Sequence, residues 1–309
     1  MPTTILSHGN CPDGTAAAFA CWKHFGDAAT YIPVFYGQPV PDMPPEHNVV
    51  LVDFSYPEDT LKELLAARIG RRTQAEQVVT VLDHHASAQR DLTSLIRQQL
   101  PGLALHFDME ESGASLAWKW WHTRGHLPDP QHQPDAWAAV EDAMPTFYKY
   151  IRDRDLWRFA LPDSKAISLA YWTLEKDFLR IEQFAQDLEE AEGYHRLVTE
   201  GQAMQRYAEA LVREQAARVR WGWIQGHRVP YVNTTTLFSE VGEYLCTTYD
   251  DAPFAAYFFD RADGQRQWGV RGKGQVDLSV LAKAMGGGGH PNAAGWTTEA
   301  TWLPAPGKE

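Results

Sequence analysis

The chain has 309 residues, with 28 Lys+Arg against 40 Asp+Glu, a net charge of −12, and 44% hydrophobic and 12% aromatic residues. That length buries roughly three quarters of the unfolded surface, enough for one large domain or two ordinary ones, and the apolar content excludes a disordered chain. The acidic balance excludes a long track for duplex nucleic acid, which needs a clustered basic face, but not a short anion handled through metal ions. No apolar run approaches the roughly 18 residues of a bilayer span. The N-terminal Met1–His8 stretch carries no charged and apolar leader regions, and Cys11, Cys21 and Cys246 are too scattered for a disulfide framework. A cytoplasmic protein with no membrane partner is therefore expected.

In chain order, residues 5–7 read as a short strand, 13–25 as an alanine-rich helix closed by Gly26, and 31–36 as a second strand before a proline-dense loop. Residues 49–52 are a continuous apolar run ending on Asp53, and 57–71 have helical spacing. The strand pattern returns at 78–82, ending on Asp83, and 87–100 are helical up to Pro101. Buried strands alternating with amphipathic helices imply a parallel sheet covered on both faces. Residues 112–124 form a helix carrying Trp118, Trp120 and Trp121, and 127–134 a proline-punctuated loop.

From about 181 to 220 the sequence is charged, alanine-rich and helical, with Gly193 and Gly201 as weak breaks. Its apolar content is too low for a core helix throughout, so it reads as a bridge between two units. From Trp221 the character turns to β, with strands at 229–232, 254–260 and 267–271 and helices near 238–249 and 277–285. The expected architecture is α/β: a parallel-sheet domain with flanking helices over 1–190, a linker helix over 191–220, and a smaller α/β domain over 221–309.

The acids and histidines fall where chemistry is expected. His8 follows the first strand, Asp53 ends another, and Asp83-His84-His85 closes a third. Carboxyl ends of parallel strands line the ligand crevice of an open α/β sheet, so these groups converge. Mixed carboxylates and imidazoles suit divalent cations of the Mn or Mg type. Asp13 has a second reading, as the cap of the helix it opens.

These residues resemble a family. Asp83-His84-His85 behind the 78–82 strand is similar to the signature of the DHH phosphoesterase superfamily. Ser7-His8-Gly9-Asn10-Cys11-Pro12-Asp13-Gly14 resembles its first motif and Val52-Asp53-Phe54-Ser55 its second. The run Gly286-Gly287-Gly288-Gly289-His290-Pro291-Asn292 resembles the glycine-rich motif of the DHH-associated C-terminal domain, with Arg271 where that domain presents an arginine. The resemblance covers both ends of the chain in the right order.

It implies a phosphodiesterase or exonuclease with two divalent metal ions, Mn²⁺ foremost and Mg²⁺ or Zn²⁺ as alternatives. A metal-activated hydroxide would attack short oligonucleotides, dinucleotides or bisphosphonucleosides. Asp53 would bridge the metals, with His8 on one and Asp13 and His84 on the other. His85 would face the scissile phosphate, and Asp83 would orient the histidines. Asp155 is the favoured fourth carboxylate, with Asp153 the alternative. Arg271, the backbone of Gly287, Gly288 and Gly289, His290 and Asn292 would bind substrate.

The departure is Cys11, which stands where the first motif usually has an aspartate. It is a soft ligand that shifts preference towards Zn²⁺, the mark of a weak first metal site filled only with help from substrate phosphate, or a small buried residue. Two rival readings stand beside the enzyme: a nucleotide-binding or regulatory protein that lost turnover through Cys11, and a phosphatase for another small phosphate ester with the aromatic excess serving only the core. Trp157 and Trp296, beside the motifs, are candidates for base stacking, whereas Trp118, Trp120 and Trp121 read as core. A homodimer is compatible with the sequence.

Overall fold

A computed structural model describes residues 1–9, 11–69 and 78–305. Asn10 of the first motif, the end of the helix expected over 57–71, and the tail after residue 305 lie outside the described residues. Contacts divide the chain into two units, Met1–Met204 and Gln205–Glu309.

The first unit begins β1 (Thr3–His8), α1 (Pro12–Phe25), β2 (Ala29–Val34), β3 (Asn48–Val52), α2 (Glu58–Ile69), β4 (Val79–Asp83). It continues through α3 (Ala86–Asp91), α4 (Thr93–Gln98), β5 (Leu103–Phe107), α5 (Gly113–His122), α6 (Pro134–Ala143), α7 (Thr146–Asp155), α8 (Ser164–Thr173), α9 (Phe178–Glu189) and the start of α10 (Ala191–Ala216). The five strands are all parallel, in the order β2-β1-β3-β4-β5.

Alternation along each strand feeds two cores. Ile5, Val50, Val52 and Leu82 pack with Ala16, Trp120, Phe147 and Phe184 of the helices on one face. Leu6, Val49, Leu51, Val79 and Val81 pack with Leu61, Leu64 and Leu65 of α2 on the other. Burial on both faces is why these strands read as unbroken apolar runs.

Three details differ from the sequence expectation. The strand β5 appears where no strand was expected. The helix over 87–100 is two short ones, because Leu92, buried at 1% exposure, leaves the helical conformation between them. The long helix after 181 breaks at Glu190, which is extended, and not at a glycine. Gly201 lies inside α10, where any Cβ would collide with the backbone carbonyl of Ala166. Leu197 and Val198 of α10 belong to the core of the first unit, and Val212 and Ala216 to a core of the second. The division between units thus falls within this helix, between Met204 and Gln205.

The second unit contains β6 (Arg220–Ile224), β7 (His227–Asn233), α11 (Phe238–Thr248), β8 (Phe254–Asp260), β9 (Gln265–Gly272), α12 (Leu278–Ala284), β10 (Gly288–His290) and β11 (Ala293–Glu299). They form a mixed sheet in the order β10-β11-β9-β8-β7-β6, parallel only at β7/β8. Trp296 is corrected here: it is buried and stacks on Trp268, with ring centroids 6.1 Å apart, so it offers no face to a base. No helix among the described residues is long and apolar enough to cross a membrane.

Candidate metal centre

The strand order reverses direction at β1/β3, and this switch point is where an open α/β sheet leaves a crevice. His8 ends β1, Asp53 follows β3, and Asp83 ends β4 with His84 and His85 next in line. Asp13 comes from the first turn of α1 and Asp155 from the last residue of α7. The structure brings these side chains together. His84 Nε2 lies 3.0 Å from Asp53 Oδ1, 3.6 Å from Asp13 Oδ2 and 3.5 Å from Asp155 Oδ2. His8 Nδ1 lies 3.5 Å from Asp53 Oδ2. Asp153 points elsewhere: its carboxylate accepts from the amides of Ala160 at 2.9 Å and Leu161 at 3.3 Å.

Local backbone explains the convergence. Asp53 has φ of 54°, the left-handed region that a non-glycine residue adopts at a cost. Asp13 does not cap the helix it opens. Its carboxylate accepts from the amides of Gly113 at 2.6 Å and Ala114 at 3.0 Å, at the start of α5. Gly113 is needed there, since a Cβ would come within 2.8 Å of Asp53 Cα and 2.9 Å of Asp13 Oδ2. Sequence reasoning missed Gly113; its one signal is a glycine directly after the capping Ser112.

Asp83 holds the histidines in place. Its Oδ1 lies 2.7 Å from His85 Nδ1 and accepts from the His84 amide at 2.8 Å, while Oδ2 accepts from Ser55 Oγ at 3.0 Å. Tyr36, also missed, sets its ring 5.3 Å from His8 and 6.0 Å from His85, edge-on to both.

The electrostatics are those of crowded acids. Burial, then the charges of Asp53 and Asp155, push the Asp13 carboxyl well up. Asp155 is also raised, by burial first and by Asp53, against the pull of His84. Burial would raise Asp53 too, but His8 and His84 outweigh it and hold its carboxyl well below the usual range. For His84, burial is outweighed by Asp155, Asp53 and Asp13, so the imidazole is pushed up. Burial and the same acids push the Cys11 thiol up.

A divalent cation fits this arrangement. Within the first unit, three sets of donor atoms each lie within 4.8 Å of one another: His8, Cys11 and Asp53; Asp13, Asp53 and His84; and Asp53, Asp83 and His85. Asp53 is common to all three. Its Oδ2 and His8 Nδ1 are buried without a hydrogen bond, which is costly unless something else satisfies them.

No family model matches the chain. It is 26% identical, over 94% of its length, to an uncharacterised protein of Acanthamoeba polyphaga mimivirus, of which it spans 66%. Among solved structures, the DHH domain of a protein described as a member of a ribosomal-protein family aligns over 96% of this chain and 83% of its own, with a TM-score of 0.56 and 16% identity. The fold is that of the DHH domain proteins. Two weaker likenesses are an uncharacterised protein from Helicobacter pylori (TM-score 0.47, 14% identity, 99% and 95% of the chains) and an exonuclease RecJ bound to manganese (0.41, 17%, 96% and 86%).

The second unit of this DHH-fold chain carries the glycine-rich run by itself. Gly288–His290 is strand β10, paired antiparallel with β11 through a tight turn at Pro291 and Asn292. The amides of Gly286 and Gly287 donate to the carbonyls of Lys283 at 3.0 Å and Ala282 at 2.8 Å, closing α12. The expectation that Gly287 offers its amide to a phosphate is therefore corrected: helix closure has taken that donor. Gly287 and Gly289 are required sterically, because a Cβ at either would strike the backbone of β11. Arg271, on β9 opposite Ala293, donates to Ser239 Oγ. Asn292 accepts the Gly272 amide at 3.0 Å through its carbonyl, and His290 closes β10 half-buried beside it.

Proposed function

We propose that this chain is a metal-dependent phosphoesterase of the DHH superfamily, hydrolysing short nucleotides: oligonucleotides of a few residues, linear or cyclic dinucleotides, or bisphosphonucleosides. The observation that carries the reading is Asp53, a carboxylate shared by three donor sets at the switch point of a DHH fold. His8, Cys11 and Asp53 would hold one cation and Asp13, Asp53, His84 and Asp155 a second. The oxygen-rich second set favours Mn²⁺ or Mg²⁺, while the thiol in the first brings Zn²⁺ into range. Such cations supply a water of lowered pKa and polarise a phosphoryl oxygen.

The chain's own groups do the rest. Asp53 keeps its charge despite burial, so it can serve both donor sets at neutral pH. Asp83 fixes the ring of His85 through Nδ1, leaving Nε2 as the atom that gives or takes a proton. Because burial is outweighed by Asp83, the His85 pKa is raised and the cation persists nearer neutrality, suited to a phosphate oxygen. Arg271, His290 and Asn292 are the candidate contacts to a second phosphate or sugar, and the net charge of −12 favours a short substrate over a long one.

The test is hydrolysis by purified protein with Mn²⁺, Mg²⁺ or Zn²⁺ of a dinucleotide, a bisphosphonucleoside and a cyclic dinucleotide. Release of mononucleotide or phosphate with at least one metal is expected; none with any metal overturns the reading. Loading with Co²⁺ decides Cys11. A thiolate-to-metal absorption band that vanishes in Cys11→Ser makes it a ligand, and its absence in the parent makes Cys11 a packing residue.

A further inference from the structure

We infer that a cavity beside the candidate metal centre seats a nucleobase, with the exposed indole of Trp172 as its stacking platform. The inference rests on the phosphoesterase reading only in taking the ligand to be a nucleotide. The cavity, about 600 Å³, lies wholly in the first unit and falls in the size range of small-molecule sites. One wall is His8 and Cys11, so a ligand inside it abuts the metal-capable cluster. The lining also includes Tyr31 on β2, Trp172 near the end of α8, Lys176 in the connection to α9, and Phe178 at the start of α9.

Three features set this cavity apart. Trp172 is 57% exposed while Tyr171 beside it is buried, the most exposed tryptophan among the described residues. Core packing does not explain it, and its indole has no ring partner among them. Phe178 is by contrast committed, 5.6 Å from the ring of Trp22 and 5.0 Å from that of Tyr31, so it forms a fixed wall.

The second feature is charge. Among the described residues no carboxylate lines the cavity, although the chain carries a net charge of −12. Its one ammonium, on Lys176, donates to the backbone carbonyls of Tyr171 and Trp172, tying down the end of α8 that presents the indole. Partial burial lowers the Lys176 pKa to about 8, which still leaves it a cation at neutral pH.

The third is continuity. A nucleotide with its phosphate at the cluster places its sugar and base on the β2 side, where the aromatic walls stand. Every base has a π-face, so stacking on Trp172 selects nucleotides without selecting sequence.

Calorimetric titration of the full-length Mg²⁺-loaded protein with AMP, GMP and ribose 5-phosphate tests this. The nucleotides are expected to bind about tenfold or more tighter than the sugar phosphate, the range base–aromatic stacking commands. Trp172→Ala is expected to bring all three within about twofold of one another, and Trp172→Phe to retain a preference. An unchanged preference in Trp172→Ala, or none in the parent, overturns the inference. Phosphoester hydrolysis, measured separately, keeps the two claims apart. Hydrolysis with a preference indifferent to Trp172 removes only the pocket. A preference lost in Trp172→Ala without hydrolysis of any ester removes only the phosphoesterase reading.

Discussion

Two buried charge clusters sit in the first unit, and they are opposites. Lys119, whose side chain is fully buried, meets Glu111 at 2.8 Å and Glu141. Arg152 meets Glu111 and Glu141 at 2.9 Å each, and the Trp137 ring lies 3.8 Å from Lys119 Nζ. Two cations face two carboxylates, so this group is complete. At the strand ends, Asp13, Asp53, Asp83 and Asp155 crowd around His8, His84 and His85, burial and mutual repulsion raise two of the acids, and Asp53 Oδ2 and His8 Nδ1 are buried without a hydrogen bond. Buried charge is tolerated when compensated and costly otherwise, so the first cluster is a brace and the second is the candidate site for cations. The brace also serves the site. Glu111 directly precedes the Ser112-Gly113 turn that holds Asp13, and Arg152 lies one turn before Asp155 on α7.

That contrast can be broken experimentally. The largest effect is expected at Asp53→Ala: turnover falls roughly a thousandfold or more, since a catalytic cation contributes several kcal/mol to the barrier. Activity assays beside circular dichroism check that the fold survives; near-parental turnover would mean Asp53 holds no catalytic cation. Next comes Lys119→Met, which leaves Glu111 and Glu141 short of a cation and should cost about 3–5 kcal/mol in chemical denaturation. A loss under 1 kcal/mol would show the brace to be ornamental.

Smaller, and opposite in sign, is the effect of metal on stability. Mn²⁺ at a hundredfold excess over its Kd should stabilise metal-stripped parent protein by about 2.7 kcal/mol and Asp53→Ala hardly at all. Equal gains in both would place the binding elsewhere. Smallest is the acid limb of the brace. Burial pushes Glu141 up, but hydrogen bonds from Arg152 and Lys119 bring it down to about 2, below its ordinary 4.5. Its contribution is complete above pH 4.5 and is lost as pH falls from there towards 2. After solvent screening it amounts to about 1–2 kcal/mol, read from midpoints at pH 5 and pH 3, and Glu141→Gln should flatten that slope.

How much of this the sequence disclosed follows from the range of each interaction. The strands β1, β3 and β4 were legible because both faces are buried, and so was the convergence of His8, Asp53 and Asp83 at their ends. The strand β5 was not, because only Ala104 within it is buried, and its short run follows Pro101-Gly102 as loop would. The glycine run gave no strand signal, since its pairing rests on backbone alone. Trp296 looked available because its neighbours are motif residues, but alternation along β11 turns it inward. The Lys119 brace needs groups from three helices and the turn before α5, a coincidence that no local pattern carries. Gly113 answers a clash with residues far away in sequence.

The backbone of Asp53 carries a trade-off. Its left-handed φ is one that glycine adopts freely and aspartate resists. Asp53→Gly should therefore relieve the backbone strain while losing the hydrogen bond to His84 and the proposed hold on cations. The backbone conformation is one that glycine would satisfy more cheaply, and only the carboxylate gives a reason to keep aspartate on this strained turn.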